Sequence, residues 1–205
     1  MGFYERRILP AMLDFAMRQP PIMKQREKVV PRARGRVLEI GLGSGLNLGF
    51  YDPQKVEVVL GLEPSAELTE RASVRAAKAE VPLEMVGLIG EDIPLPDAAV
   101  DTVLVTYTLC TIPGVEQALA EMRRVLRPAG ELIFAEHGSA PDAGVARWQR
   151  RIEPLWKRLA GGCHLTRDVP ALLRAADFEL RDLDQLYLPG PRVATFNSWG
   201  IAQPA

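Results

Sequence analysis

The sequence predicts an α/β protein: a doubly wound, seven-stranded sheet, mostly parallel, with an antiparallel C-terminal edge hairpin and helices ahead of the first strand. Three observations carry this. A buried strand runs straight into a loop with alternating glycines at 41, 43 and 45. Strand-like and helix-like patterns then alternate four times, the rhythm of a parallel sheet with crossover helices. Finally, residues 178–188 and 192–202 alternate around Pro189-Gly190, as two antiparallel strands joined by a turn would.

Taken in order, Pro10 suits the first turn of a helix reaching about Arg18, with Leu9, Met12, Leu13, Ala16 and Met17 on one side. Pro20-Pro21 stops it, and a second helix runs to about Val30 before Pro31. Residues 1–34 therefore form a helical cap, within which Tyr4 is a candidate to close over a ligand. Residues 36–137 form the core, and 138–205 the remaining helices and strands. The first strand is Val37, Leu38 and Ile40, and after the glycines a helix is expected from about Leu46. The apolar run Val58, Val59, Leu60, Leu62 is the second strand, buried on both faces, with Ser65 capping a helix to about Ala79. Leu83–Leu88 gives strand three and Val100–Thr106 strand four. Val115, Ala118, Leu119, Met122, Val125 and Leu126 share one helical face, and Pro128-Ala-Gly130 turns into strand five, Glu131–Glu136, ending at His137. A helix bearing Trp148, Ile152, Leu155, Trp156 and Leu159, bent or restarted near Pro154, reads as core packing, with a substrate lid as the alternative. Asp168 caps a last short helix.

Length and composition bound the function. A chain of 205 residues holds one domain with a substantial core, and 47% hydrophobic with 25% charged residues is ordinary globular composition. A net charge of −1 argues against a nucleic-acid partner. No apolar run approaches the roughly 20 residues of a spanning helix and no signal-peptide pattern opens the chain, so a cytoplasmic protein is expected. Nine Lys/Arg against three acids in residues 1–36 leave peripheral membrane contact open, although a solvated face explains them as well. Two cysteines and two histidines suggest reduced thiols and no metal.

The glycine loop is where chemistry concentrates. Glycine reaches positive φ freely and lets a ligand lie against the backbone. A dinucleotide fingerprint places its third glycine at 46, where this chain has Leu; the third glycine is Gly45. Glu39 stands two residues ahead of Gly41. Glu63 ends strand two about 20 residues beyond the loop, where a carboxylate accepts the hydroxyls of a ribose.

Glu39-x-Gly41-x-Gly43-x-Gly45 after a strand resembles the first motif of the class I S-adenosylmethionine-dependent methyltransferases. Gly90-Glu-Asp-Ile-Pro-Leu-Pro-Asp97, Val100-Asp-Thr-Val103 and Glu121-Met-Arg-Arg-Val-Leu-Arg-Pro-Ala-Gly130 resemble later motifs of that superfamily, whose fold is Rossmann-like. Phe3-Tyr4, Thr108–Thr111 and Gly162–Asp168 resemble a subgroup that includes thiol S-methyltransferases. The resemblance implies that Gly41, Leu42, Gly43 and Gly45 run along the methionine part of S-adenosylmethionine, with Asn47 nearby. It implies Glu63 on the ribose, Pro64 or Ser65 against the adenine, Glu91 and Asp92 at the adenine edge, and Thr106 and Tyr107 near the sulfonium. Glu39 would order the loop or reach the cofactor's amino group through water. The implied reaction is direct methyl transfer to a small molecule: a thiol, amine, phenol or quinone, or lipid head group. Candidate bases are His137 and Tyr107, then His164, with Cys110 and Cys163 behind them. An NAD(P)-linked oxidoreductase and a non-catalytic cofactor-binding domain are the alternatives.

Overall fold

The computed structural model describes residues 9–205; Phe3 and Tyr4 lie outside the described residues. Seven strands form one sheet: β1 (Gly35–Ile40), β2 (Val56–Leu62), β3 (Leu83–Gly87), β4 (Val100–Thr106), β5 (Leu126–His137), β6 (Phe178–Tyr187) and β7 (Phe196–Pro204). Their order is β3-β2-β1-β4-β5-β7-β6, with β7 antiparallel to both neighbours and every other pairing parallel. The chain winds outward through β2 and β3, then returns to the other side of β1 as β4. The switch point between β1 and β4 is where an open α/β sheet leaves a crevice for ligands.

Helices follow the pattern expected of them, with exceptions that matter. They are α1 (Leu9–Met17), α2 (Pro20–Val29), α3 (Ala66–Ala76), α4 (Val115–Val125), α5 (Ala143–Leu159), α6 (Val169–Ala175) and a single turn, α7 (Arg192–Thr195). Ser65 caps α3 by accepting from the Leu68 N–H at 3.3 Å, and Asp168 caps α6 through the Ala171 N–H at 3.1 Å. The apolar face of α4 is buried against one side of the sheet with Val103, Val105 and Phe134. Val29 and Val30 are buried on the other side with Val37, Val59 and Trp199, so the end of α2 is built into the core.

Four expectations are corrected. Residues 43–50 form turns, not a helix from Leu46: Gly45, Leu48 and Phe50 each bond the carbonyl three residues back, at 3.0, 3.3 and 2.9 Å. Gly45 at φ +77° and the anchoring of Asn47 and Tyr51 on Glu39 interrupt the helical repeat, so no helix dipole points at the loop. Strand β5 begins at Leu126 rather than after a turn at Pro128–Gly130, because Leu126 already pairs with Val100 and the register shifts before Thr102 pairs with Glu131. The last strand starts at Phe196 rather than Arg192, the intervening residues closing the helical turn α7. Helix α5 runs unbroken through Pro154, and Trp148 and Leu155 on it are 57% and 63% exposed, so that face is not core.

Candidate functional site

At the C-terminal end of β1 the glycine loop is held from beneath. The N–H groups of Gly41 and Leu42 both donate to the Leu62 carbonyl at 3.0 Å, fastening the loop to β2. Gly41 and Gly43 have φ of +69° and +59°, and a Cβ on Gly41 would collide with the Thr108 side chain. Glu63 ties the two loops together: one oxygen accepts the Gly43 N–H at 2.8 Å, the other the Ser65 N–H at 2.9 Å. Burial raises the pKa of this carboxyl while those two N–H bonds work against the rise. Each oxygen keeps a lone pair for a further donor.

Under the loop lies a buried polar network that the motif reading did not find. Arg26, at the middle of α2 and 5% exposed, donates to Asn47 Oδ1 and Thr106 Oγ1, both at 2.7 Å. Asn47 donates to Glu39 at 2.9 Å, and the Tyr51 hydroxyl donates to the other Glu39 oxygen at 2.6 Å. Burial pushes the Glu39 carboxyl up to about 7 despite these donors. Arg26 Nε has no partner among the described residues. In the sequence Arg26 was one of nine N-terminal cations, with no spacing to mark it. Others of that group also find partners: Arg32 bonds Asp182 at 2.7 Å, and Arg34 lies 3.5 Å from Glu131.

Tyr107 follows β4 with φ of +56°, a strained conformation for a non-glycine residue. Its N–H bonds the Ala135 carbonyl at 2.9 Å, its hydroxyl donates to Asn197 at 2.8 Å, and the Arg26 guanidinium lies 5.6 Å from its ring centre. Burial raises its pKa, keeping the phenol protonated.

These elements border a cavity of about 1640 Å³. That exceeds the roughly 300–1,000 Å³ of a single small-ligand site, leaving room for two molecules side by side. Of the expected cofactor contacts, Gly41, Leu42, Gly43, Glu63, Pro64 and Ser65 line it from the first two strand ends. Glu91, Thr106, Tyr107 and His137 line it from later loops. Glu39 and Asn47 are buried beneath the wall, Gly45 packs on Leu48 and Ala72, and Asp92 is exposed, so these four are not in the lining. Glu91 also anchors the loop to α4, accepting from the Gly114 N–H at 3.1 Å. Leu9, Leu13 and Met17 of α1 line the cavity, and α1 is clipped to the glycine loop: the Ser44 hydroxyl donates to Asp14, which Arg75 and Arg71 approach at 3.4 and 3.6 Å.

A second group of lining residues has a different character. Cys110 follows β4, His137 ends β5, and Cys163 lies between α5 and α6, yet the three meet in the cavity wall. His137 Nε2 is 2.9 Å from Cys163 Sγ, and Trp156 Nε1 donates to the same sulfur at 3.2 Å. The Cys110 hydrogen bond lowers the Cys163 pKa, with His137 and Trp156 adding to it against burial; Cys110 is raised in turn. Burial opposes a charged His137, but its bond to Cys163 raises its pKa overall. The cluster holds two soft sulfur donors and an imidazole, a set able to take a metal ion. His164 turns instead toward Glu153, 3.4 Å away, and is not in the lining.

A family model described as a methyltransferase domain matches residues 38–134. Thiol S-methyltransferase TMT1A of Homo sapiens is 31% identical over 176 residues, covering 85% of this chain and 69% of that protein. The chain belongs to the class I S-adenosylmethionine-dependent methyltransferases. Thiol S-methyltransferase TMT1B of Homo sapiens is 37% identical over 150 residues, 71% of this chain and 62% of that protein. Against the Rattus norvegicus TMT1B the match covers 59% of the relative, so the chain spans about three-fifths of these proteins. Geranyl diphosphate methyltransferase superposes over 100% of this chain and 92% of its own, with a TM-score of 0.73 at 13% identity. A methyltransferase of Thermotoga maritima gives 0.68 at 23% identity, over 98% and 97% of the two chains. Such distant likeness speaks for the fold. Family membership implies S-adenosylmethionine, and the cradle suits it: glycine backbone that a Cβ would obstruct, a carboxylate with spare acceptor capacity, and a large adjoining space. Among the described residues no helix is long and apolar enough to cross a membrane.

Proposed function

We propose that this chain transfers the methyl group of S-adenosylmethionine to the sulfur of a small thiol. One observation favours a thiol over the amines, phenols and lipid head groups: the Cys110/His137/Cys163 wall gives the cavity a soft, sulfur-rich end. The similarity to thiol S-methyltransferases points the same way. The cofactor supplies an activated methyl on a sulfonium. What remains for the protein is alignment and exclusion of water, and alignment alone is worth about 7–11 kcal/mol. The backbone of Gly41–Gly43 and the Glu63 carboxylate would hold the donor, with Thr106 and Tyr107 beside it. Arg26 fixes Asn47 and Thr106 beneath the loop, while α1 covers the cavity. Tyr107 is a poor base, since its proton is already given to Asn197. His137 lines the acceptor space beside Cys110 and Cys163.

Screening thiols, amines and phenols with methyl-labelled cofactor tests this. Label recovered in thioethers is the expected result. Label moving to amines or phenols and to no thiol overturns the acceptor assignment, and tight cofactor binding with no transfer at all favours a non-catalytic domain.

A further inference from the structure

The Cys110/His137/Cys163 cluster offers more donor capacity than a cavity wall requires. Its two sulfurs and one ring nitrogen lie within 4.8 Å of one another. Cys110 lies on the loop after β4, His137 ends β5 and Cys163 lies on the loop between α5 and α6, and hydrogen bonds hold the two loops together. The His164 N–H donates to the Cys110 carbonyl at 2.9 Å, and Arg167 donates to the Ile112 carbonyl at 2.7 Å and also to that of Leu109. A tetrahedral ion with bonds of about 2.0–2.3 Å spaces its ligand atoms roughly 3.3–3.8 Å apart. The 2.9 Å pair therefore opens slightly and the widest pair closes, by side-chain rotation on a fixed backbone.

The donor set selects the ion. Two thiolates and an imidazole suit zinc and softer metals rather than magnesium or calcium, which want oxygen. Trp156 Nε1, bonded to Cys163 Sγ at 3.2 Å, is an outer partner of the kind that orients metal ligands. Three protein ligands leave a fourth position, and all three line the cavity, so that position faces the acceptor space. An open position of this sort distinguishes reactive zinc sites from closed structural ones.

We propose that Cys110, His137 and Cys163 bind one zinc-type divalent cation whose fourth ligand is the sulfur of the methyl acceptor. Only that fourth ligand rests on the thiol reading above. A thiol entering the open position loses its proton to solvent, as coordinated thiols do. Its sulfur lone pair then forms the bond to the methyl carbon. The carbon–sulfonium bond breaks, and its electron pair stays on the sulfur of S-adenosylhomocysteine. The product thioether is uncharged, a weaker ligand, and leaves.

The chain contains two cysteines, so both report on this site. Metal-free protein, kept reduced with a phosphine, is titrated with Cd²⁺. One equivalent should produce ultraviolet thiolate-to-metal absorption, and one equivalent of Zn²⁺ should shield both cysteines from iodoacetamide. Cys163→Ser and His137→Gln, with folding checked by circular dichroism, should each weaken binding by at least about tenfold. Absence of a stoichiometric band in the wild type, or cysteines still alkylated with Zn²⁺ present, overturns the site. Methyl transfer to a thiol at an unchanged rate after chelation overturns the role of the ion in holding the acceptor sulfur, while leaving the thiol reading intact. A bound ion with label passing only to amines keeps the site and removes the thiol.

Discussion

The two ends of the cavity are built by different means. At the donor end the contacts are mostly backbone: three glycines at positive φ, two N–H groups on the Leu62 carbonyl, and Glu63 spanning two loops. At the acceptor end they are side chains from two loops and the end of β5, far apart in sequence, meeting at Cys163. A backbone cradle needs particular residues at short fixed spacing and so leaves a local trace. A side-chain cluster needs only that loops meet, and nothing local records it.

Substitutions that break each layer of the donor end should differ in size. The largest effect belongs to Arg26→Met, which removes a buried cation from two acceptors and should cost about 2–4 kcal/mol in denaturant unfolding. A change below about 1 kcal/mol would mean the network is incidental to stability. Glu63→Ala should weaken cofactor binding by about 1–3 kcal/mol in titration calorimetry with a smaller effect on folding. Unchanged affinity would show that this carboxylate does not meet the ribose.

Glu39 gives a pH signature. Its folded pKa of about 7 stands above the ordinary 4.5, so the folded state holds a proton that the unfolded chain has lost. The burial penalty is absent below about pH 4.5 and complete above about pH 7, so this group makes stability fall as pH rises through that window. Glu39→Gln should flatten the profile there, and an unaltered slope would contradict the assignment. Smallest of all, Trp148→Ala should shift stability by no more than about 0.5 kcal/mol, because that ring is 57% exposed. A shift of several kcal/mol would return it to the core.

What the sequence made legible follows the same division. The strands and the C-terminal antiparallel pair were readable because apolar runs, alternation and the caps at Ser65 and Asp168 are short-range signals. The helix at Leu46 was misread because three glycines usually open one; here the side chains of Asn47 and Tyr51 reach back to Glu39 and coil the segment into turns. Glu39 accepts both of those bonds from beneath the loop. Trp148 and Leu155 carried helical apolar spacing, which cannot say whether anything packs against the face. Arg26 was hidden among other cations. The two cysteines read as reduced thiols with no metal set because their meeting with His137 depends on the loop between α5 and α6.

A structure with S-adenosylhomocysteine and a small thiol bound tests the division of the cavity most directly. The homocysteine sulfur should point from the Gly41–Gly43 loop toward the Cys110/His137/Cys163 wall, with the thiol sulfur between them. A thiol lodged elsewhere, or a cofactor whose sulfur faces away from that wall, would contradict it.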